Sequence, residues 1–143
     1  MPEKERINQI IKLMFEASRS LRDEFRHSCK PKQMSWVNFH TLRFIHESEN
    51  PTMKEVAEHL NITPPSATSL VDNYINDGQL VRILDNHDRR IVRLELSAKG
   101  KRQLKAGLRH MSEIMETKFS GLSDQELDEL RNIFEKMLKK NKG

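Results

Sequence analysis

Between residues 80 and 96 the chain stops reading as helix, and this interruption most constrains its fold. Leu80-Val81-Arg82-Ile83-Leu84 and Ile91-Val92-Arg93-Leu94-Glu95-Leu96 are short and β-branched, and the second alternates cleanly. Between them lies the polar run Asp85-Asn86-His87-Asp88-Arg89-Arg90. Two such runs around a polar tip predict a β-hairpin. The segments on either side follow helical spacing, so the expected fold is mainly α with one small β-hairpin.

Ile7, Ile10, Ile11, Met14, Phe15, Leu21 and Phe25 recur at helical spacings and predict a helix over 4–27. Ser35 is a candidate N-cap for a second helix reaching Glu47, with Val37, Phe39, Leu42, Phe44 and Ile45 apolar. Thr52-Met53-Lys54-Glu55 has the form of a capping box, in which the Glu55 side chain returns to the N-cap amide. A short helix follows, then a turn at Asn61-Ile62. Thr63 caps the next helix, where a proline in the first turn loses no internal hydrogen bond. Ala67, Leu70, Val71, Tyr74 and Ile75 share its inner face, and Gly78 suits the left-handed position beyond it. After the hairpin a helix runs from Ser97 to about Phe119, although Gly100 and Gly107 weaken its first half. Ser123-Asp124-Gln125-Glu126 opens a last helix with Leu127, Leu130, Ile133, Phe134, Met137 and Leu138 inward.

Composition narrows the class. Hydrophobic residues are 36% of the 143, or about 39% with the glycines, and charged residues are 32%. Globular chains usually hold ~45–50% and ~25%. That balance suits long amphipathic helices, or a protomer that completes its core in an oligomer. No apolar run approaches the ~18 residues of a membrane span, so no membrane partner is expected. No signal-peptide core follows the opening residues, and the expected location is the reducing cytoplasm. The single cysteine, Cys29, makes neither an internal disulfide nor a Cys-rich zinc site. None of the five glycines falls in a phosphate loop, a dinucleotide fingerprint or a nucleophile elbow, and no spacing gathers Ser, His and Asp. An enzyme is not expected, and neither catalytic residues nor a cofactor are assigned. The net charge of +4 is divided as +2 over 1–50, −1 over 51–100 and +3 over 101–143. A nucleic-acid footprint in the middle segment must therefore come from the arrangement of its charges.

Short helix, tight turn, second helix and hairpin form the winged helix-turn-helix plan, whose second helix reads the major groove. Here that helix is 63–77. Thr63 stands at its cap, and Pro65, Ser66, Thr68, Ser69, Asp72 and Asn73 lie off the apolar stripe. Ser and Thr bond to either kind of groove group, and Asn grips adenine with two bonds. An ordinary solvated helix face is the plain alternative. The tip, 85–90, adds weight to the DNA reading, because a guanidinium such as Arg89 or Arg90 on a projecting loop can enter a narrow minor groove. Asp85 and Asp88 can hold those arginines through bidentate bonds. Residues 35–97 are thus read as the DNA-binding domain, and 1–34 with 98–143 as a helical dimerisation region. The first and last helices carry wide apolar stripes, and burial is worth roughly 25 cal/mol per Å². A homodimer would cover them and set two heads ~34 Å apart on double-stranded DNA. Alternatively, the two stripes cover each other within one chain.

The run from Thr52 to Gly100, about a third of the chain, resembles the MarR family of transcriptional regulators. The most specific part is Asp85 to Gly100, which is similar to the family's D-x-x-D-R-R-x-x-x-L-x-L-T-x-x-G wing, with Ser97 where Thr is usual. Leu70-Val71-Asp72 and Gly78 resemble its L-V-D-x-L-x-x-x-G pattern. The resemblance implies a homodimer on a pseudo-palindromic operator, usually a repressor. It makes Arg90 the minor-groove arginine, with Arg89 and Asp88 supporting the wing and Asp72 pairing with a wing arginine. Asn73 stands where Arg is common and Asn76-Asp77 where lysines are common, which implies fewer phosphate contacts. Family members often release DNA on binding small aromatic or phenolic effectors, which directs attention to Trp36, Phe39 and His40; a plain packing role is the alternative. Cys29 does not match the position of the family's peroxide-sensing cysteine and is read as a passive thiol, with a redox sensor as the alternative. Glu24, His27, Cys29, His40 and His110 are metal-ligand types, but the zinc-sensing subgroup's second histidine on the fifth helix is missing, and no metal is assigned. A winged-helix protein-interaction module without DNA binding is the alternative from another functional class.

Overall fold

The structure is a computed structural model that describes residues 1–28 and 34–140. Six helices and one hairpin follow in the order α1 (Glu3–Ser28), α2 (Trp36–Glu47), α3 (Met53–Leu60), α4 (Pro64–Asn76), β1 (Leu80–Leu84), β2 (Val92–Leu96), α5 (Ala98–Phe119) and α6 (Asp124–Lys140). Cys29, whose chemistry the sequence leaves open, lies outside the described residues.

Short-range hydrogen bonds set the element boundaries. The Ser35, Thr52, Thr63 and Ser97 side chains each accept the backbone N–H three residues ahead, satisfying donors that a helix start leaves free. Ser123 and Glu126 form a reciprocal box, Ser123 N–H donating to the Glu126 carboxylate at 2.8 Å and Glu126 N–H to Ser123 Oγ at 3.2 Å. The box at Thr52 closes differently from expectation. There the Glu55 carboxylate accepts from the Thr52 hydroxyl at 3.2 Å, not from the N-cap amide.

β1 and β2 pair antiparallel with Leu80 opposite Leu96 and Leu84 opposite Val92. Ile91 falls outside the strand. A third segment joins the hairpin, unannounced by sequence: Thr52 bridges to Arg93, and Leu94 N–H donates to the Pro51 carbonyl at 2.9 Å. The turn before it holds Glu49 and Asn50 in the left-handed region, at φ 51° and 66°. That conformation is uncommon outside glycine and needs support from its surroundings.

One buried cluster runs through the molecule, from Phe25 of α1 through Phe39, Leu42 and Ile45 of α2, Val56, Val71 and Tyr74, to Leu80, Leu94 and Leu96 of the hairpin and Leu104 and Ile114 of α5. The core therefore spans both regions separated on sequence. The two glycines of α5 lie at close approaches. A Cβ on Gly100 would sit 2.1 Å from the Gln79 carbonyl oxygen, and one on Gly107 would sit 2.7 Å from the Phe39 ring. They admit neighbours that no other residue allows. By contrast, Ile7, Ile10, Ile11, Met14 and Phe15 of α1 and Ile133, Phe134, Met137 and Leu138 of α6 remain exposed, Phe15 at 73%. The two stripes do not cover each other within the chain.

Candidate nucleic-acid interface

α3, the turn at Asn61 and α4 are arranged as a helix-turn-helix. Asn61 takes the left-handed conformation at φ 54°, and Ile62 N–H donates to the Ala57 carbonyl at 3.1 Å. α4 buries Ala67, Val71 and Tyr74. Its opposite side presents Thr63, Pro65, Ser66, Thr68, Ser69 and Asn73 to solvent. Pro65, Ser66, Ser69 and Asn73 line one open depression with Leu70. Thr63 and Ser66 are bonded hydroxyl to hydroxyl at 2.9 Å, and Thr68 donates to the Pro64 carbonyl at 3.0 Å. Both hydroxyls keep acceptor capacity outward, and the surface is small, polar and uncharged.

The hairpin stands beside α4 and is tied to it. Asp72 on α4 pairs with Arg82 on β1, each side chain about half exposed. Its partner is thus a hairpin arginine other than the two at the tip. Asp85 is the hub of the wing base. Its carboxylate accepts the N–H groups of His87 and Asp88, both at 2.9 Å, and Arg93 Nε at 2.6 Å. These bonds stabilise its ionised form: the Arg93 guanidinium first, then the Asp88 and His87 amides, hold the Asp85 carboxyl at about 2. Arg93 also donates to the Asn50 carbonyl at 3.1 Å, so one guanidinium clamps the wing base to the left-handed turn.

At the tip, Asp88 grips Arg90 with two bonds, Nε to Oδ1 at 3.1 Å and Nη2 to Oδ2 at 3.2 Å, and accepts the Arg90 N–H at 3.0 Å. The Arg90 bonds hold the Asp88 carboxyl below its ordinary range. The Arg90 side chain is nonetheless 92% exposed. Arg89 is exposed as well, and among the described residues it has no hydrogen-bond or ion-pair partner. Sequence reasoning missed Arg82 and Arg93. Strand register and the turn place them beside their carboxylates; spacing along the chain does not.

Trp36, Phe39 and His40 gather in an aromatic cluster. Phe39 is buried, its ring centroid 5.0 Å from that of Phe25. Trp36 meets His40 edge-on at 4.3 Å and Phe25 at 5.4 Å. Burial, then the charges of Arg43 and His59, push the His40 pKa down. A cavity of about 440 Å³ opens elsewhere, along α5, where Lys99, Arg102, Gln103, Arg109 and His110 contribute to its wall. His110 Nε2 is buried without a hydrogen-bond partner. Glu24 is committed to Lys118 at 3.0 Å. Among the described residues no three His, Cys, Asp or Glu side chains group as metal ligands. No described helix is long and apolar enough to cross a membrane.

A helix-turn-helix followed by a hairpin tied to its second helix defines a winged helix-turn-helix protein. The chain belongs to the MarR family of transcriptional regulators, whose sequence pattern matches residues 32–91. It is 27% identical over 128 residues to the HTH-type transcriptional repressor YetL of Bacillus subtilis (strain 168), covering 87% of this chain and 74% of the relative. The fold matches that of a MarR family protein from Bacillus stearothermophilus with a TM-score of 0.88, at 19% identity and over the full length of both chains. It also matches Streptococcus pneumoniae FabT, solved in complex with DNA, with a TM-score of 0.76, at 21% identity and 98% coverage of each chain. The relatives are named as regulators, not enzymes.

Proposed function

We propose that this chain is a homodimeric, cytoplasmic DNA-binding regulator that represses transcription from a pseudo-palindromic operator. Residues 35–97 form the reading head, with helix 63–77 in the major groove and wing 85–90 in the minor groove. Residues 1–34 and 98–143 form the dimerisation region. One observation carries the reading. Pro65, Ser66, Ser69 and Asn73 line a single open face of α4, and the arginine-bearing wing tip projects from a hairpin fastened to that same helix. Small polar groups can approach base edges closely, and exposed guanidiniums suit a narrow groove. The repressor name of YetL and the DNA complex of FabT support the same direction. The exposed stripes of α1 and α6 support the dimer, since contiguous apolar surface of this kind marks an association site.

The test is selection of the purified protein on a random duplex library at low salt. The expected product is an inverted repeat with half-sites about one turn, ~34 Å, apart. Failure to enrich any duplex overturns DNA reading and favours a protein-interaction module. Release by a small aromatic or phenolic effector completes the proposal. The partly exposed edge of Trp36 beside His40 offers such a ring a stacking surface. Trp36 is the chain's one tryptophan, so quenching of its fluorescence by salicylate-like compounds reports the event.

A further inference from the structure

Three polar residues are buried among those described: Asn38, Thr41 and Gln79. Thr41 bonds within its own helix, to the Val37 carbonyl. The other two bond to each other across 41 positions of sequence. Asn38 Nδ2 donates to Gln79 Oε1 at 2.9 Å, and Gln79 Nε2 donates back to Asn38 Oδ1 at 3.3 Å. The second hydrogen of Gln79 Nε2 reaches Gln103 Oε1 on α5 at 2.5 Å. The Gln79 amide thereby joins α2, the end of the helix-turn-helix and α5 through donors and acceptors that fit one arrangement.

The backbone here is held as tightly. Gln79 N–H donates to the Tyr74 carbonyl and Ser97 N–H to the Gln79 carbonyl, both at 2.9 Å. The Ser97 hydroxyl donates to the Gly78 carbonyl, and Lys99 Nζ to the Asp77 carbonyl at 2.7 Å. All three residues that follow α4 are thus fastened to the first turns of α5. Hydrophobic packing alone tolerates sliding, whereas paired amides fix direction and separation. An apolar pair of similar size would serve stability about as well, because replacing both partners of a buried hydrogen bond can be nearly neutral.

We propose that Gln79, with Asn38 and Gln103, is the positioning joint that sets the angle between the reading helix α4 and the dimerisation helix α5, and so selects the operator spacing that the two heads accept. This rests on the DNA-binding dimer proposed above. No member of the joint lies on the exposed face of α4, so its effect on DNA is exerted through orientation.

The experiment compares wild type, Gln79→Leu and the double variant Asn38→Leu/Gln79→Leu on the duplex that wild type selects from the random library. The same duplex with one base pair inserted or deleted between half-sites, and an unrelated duplex, complete the set. In the double variant folding stability is expected to stay near wild type. Its affinity for the selected duplex is expected to fall about tenfold, a usual size for coupling between separate sites. The penalty for altered spacing shrinks, while the salt dependence and the affinity for the unrelated duplex do not change. A merely structural role predicts that DNA binding recovers together with stability in the double variant; wild-type affinity and spacing preference there overturn the proposal. If wild type itself selects no duplex, the DNA-binding reading fails, which is a different result from a variant that behaves like wild type.

Discussion

Gly100→Ala is the sharpest test of how the reading head is seated. A helix interior ordinarily gains up to ~1 kcal/mol when glycine becomes alanine. Here the added methyl would stand 2.1 Å from the Gln79 carbonyl oxygen and 3.1 Å from its carbon, whereas ordinary contact begins at 3.4 Å. The obstacle is backbone, so relief requires Gln79 and α5 to separate by about 1.3 Å, the difference between 3.4 and 2.1 Å. Overpacking of this sort costs ~1–3 kcal/mol. The separation also stretches the Ser97–Gln79 backbone bond, worth ~1 kcal/mol net. Set against the helix gain, the balance is a loss of about 1–3 kcal/mol. For a chain of this size that lowers the melting midpoint by roughly 3–12 °C. Calorimetry at one fixed protomer concentration measures it, since an associating protein melts at a concentration-dependent temperature. Gly121→Ala is the control, because a Cβ there meets nothing within 4 Å. A Gly100→Ala protein as stable as wild type would refute the close approach of Gln79 to α5.

Arg89→Ala and Arg90→Ala should each weaken binding to all duplexes and lower the salt slope by about 0.9 if the residue meets a phosphate. Arg89 should lose more, because Arg90 must first leave its two bonds to Asp88; equal binding by both variants and wild type would remove the wing from the interface. Asp72→Ala should change folding stability by less than about 1 kcal/mol, since the pair with Arg82 is half exposed, yet lower DNA affinity by freeing the hairpin from α4. Chemical denaturation and a binding titration separate the two effects. Asp85 titrates at about 2 in the folded wing against an ordinary 3.8. A folded-state pKa below the unfolded one means that the contribution to stability is complete above the ordinary value and is lost as pH falls from there towards about 2. Carboxyl-carbon NMR should show that low midpoint; one near the ordinary value would mean that Arg93 does not hold the carboxylate. Phe15→Asp with Ile133→Asp should yield a folded monomer in sedimentation if the exposed stripes are the dimer contact.

The helices were legible in the sequence because their determinants are local. A cap at Ser35, Thr63 or Ser97 acts over three residues, and an apolar stripe repeats each turn. The hairpin was legible for the same reason, to within Ile91. What pairs across the fold was not. Asp72 finds Arg82 only once the hairpin is laid against α4, and Gln79 finds Asn38 only once α2 packs beneath both. Gly100 and Gly107 counted against a helix as isolated symbols. Their reason lies in the Gln79 carbonyl and the Phe39 ring, which belong to other elements. The Trp36, Phe39 and His40 group was visible as a cluster of ring-bearing residues on one helix, but helical spacing does not reveal whether rings enclose a space or fill it; Phe39 fills it.

The charge of the reading head shows why totals mislead there. Residues 51–100 sum to −1, which argues against a polyanionic partner. The sum treats every charge as available. In the fold Asp72 is held by Arg82, Asp85 by Arg93 and Asp88 by Arg90, so three acids and three bases form pairs inside the wing and along its seam with α4. Lys99 is turned to the carbonyl of Asp77. Pairs this close look neutral beyond a Debye length of ~8–10 Å. At the tip, the charge that stays unpaired among the described residues is the cation Arg89, with the weakly shielded Arg90 beside it. An approaching phosphate therefore meets positive potential at the projecting end of a segment that is acidic on paper. The acids do not dilute that potential; Asp85 and Asp88 shape the turn that presents it.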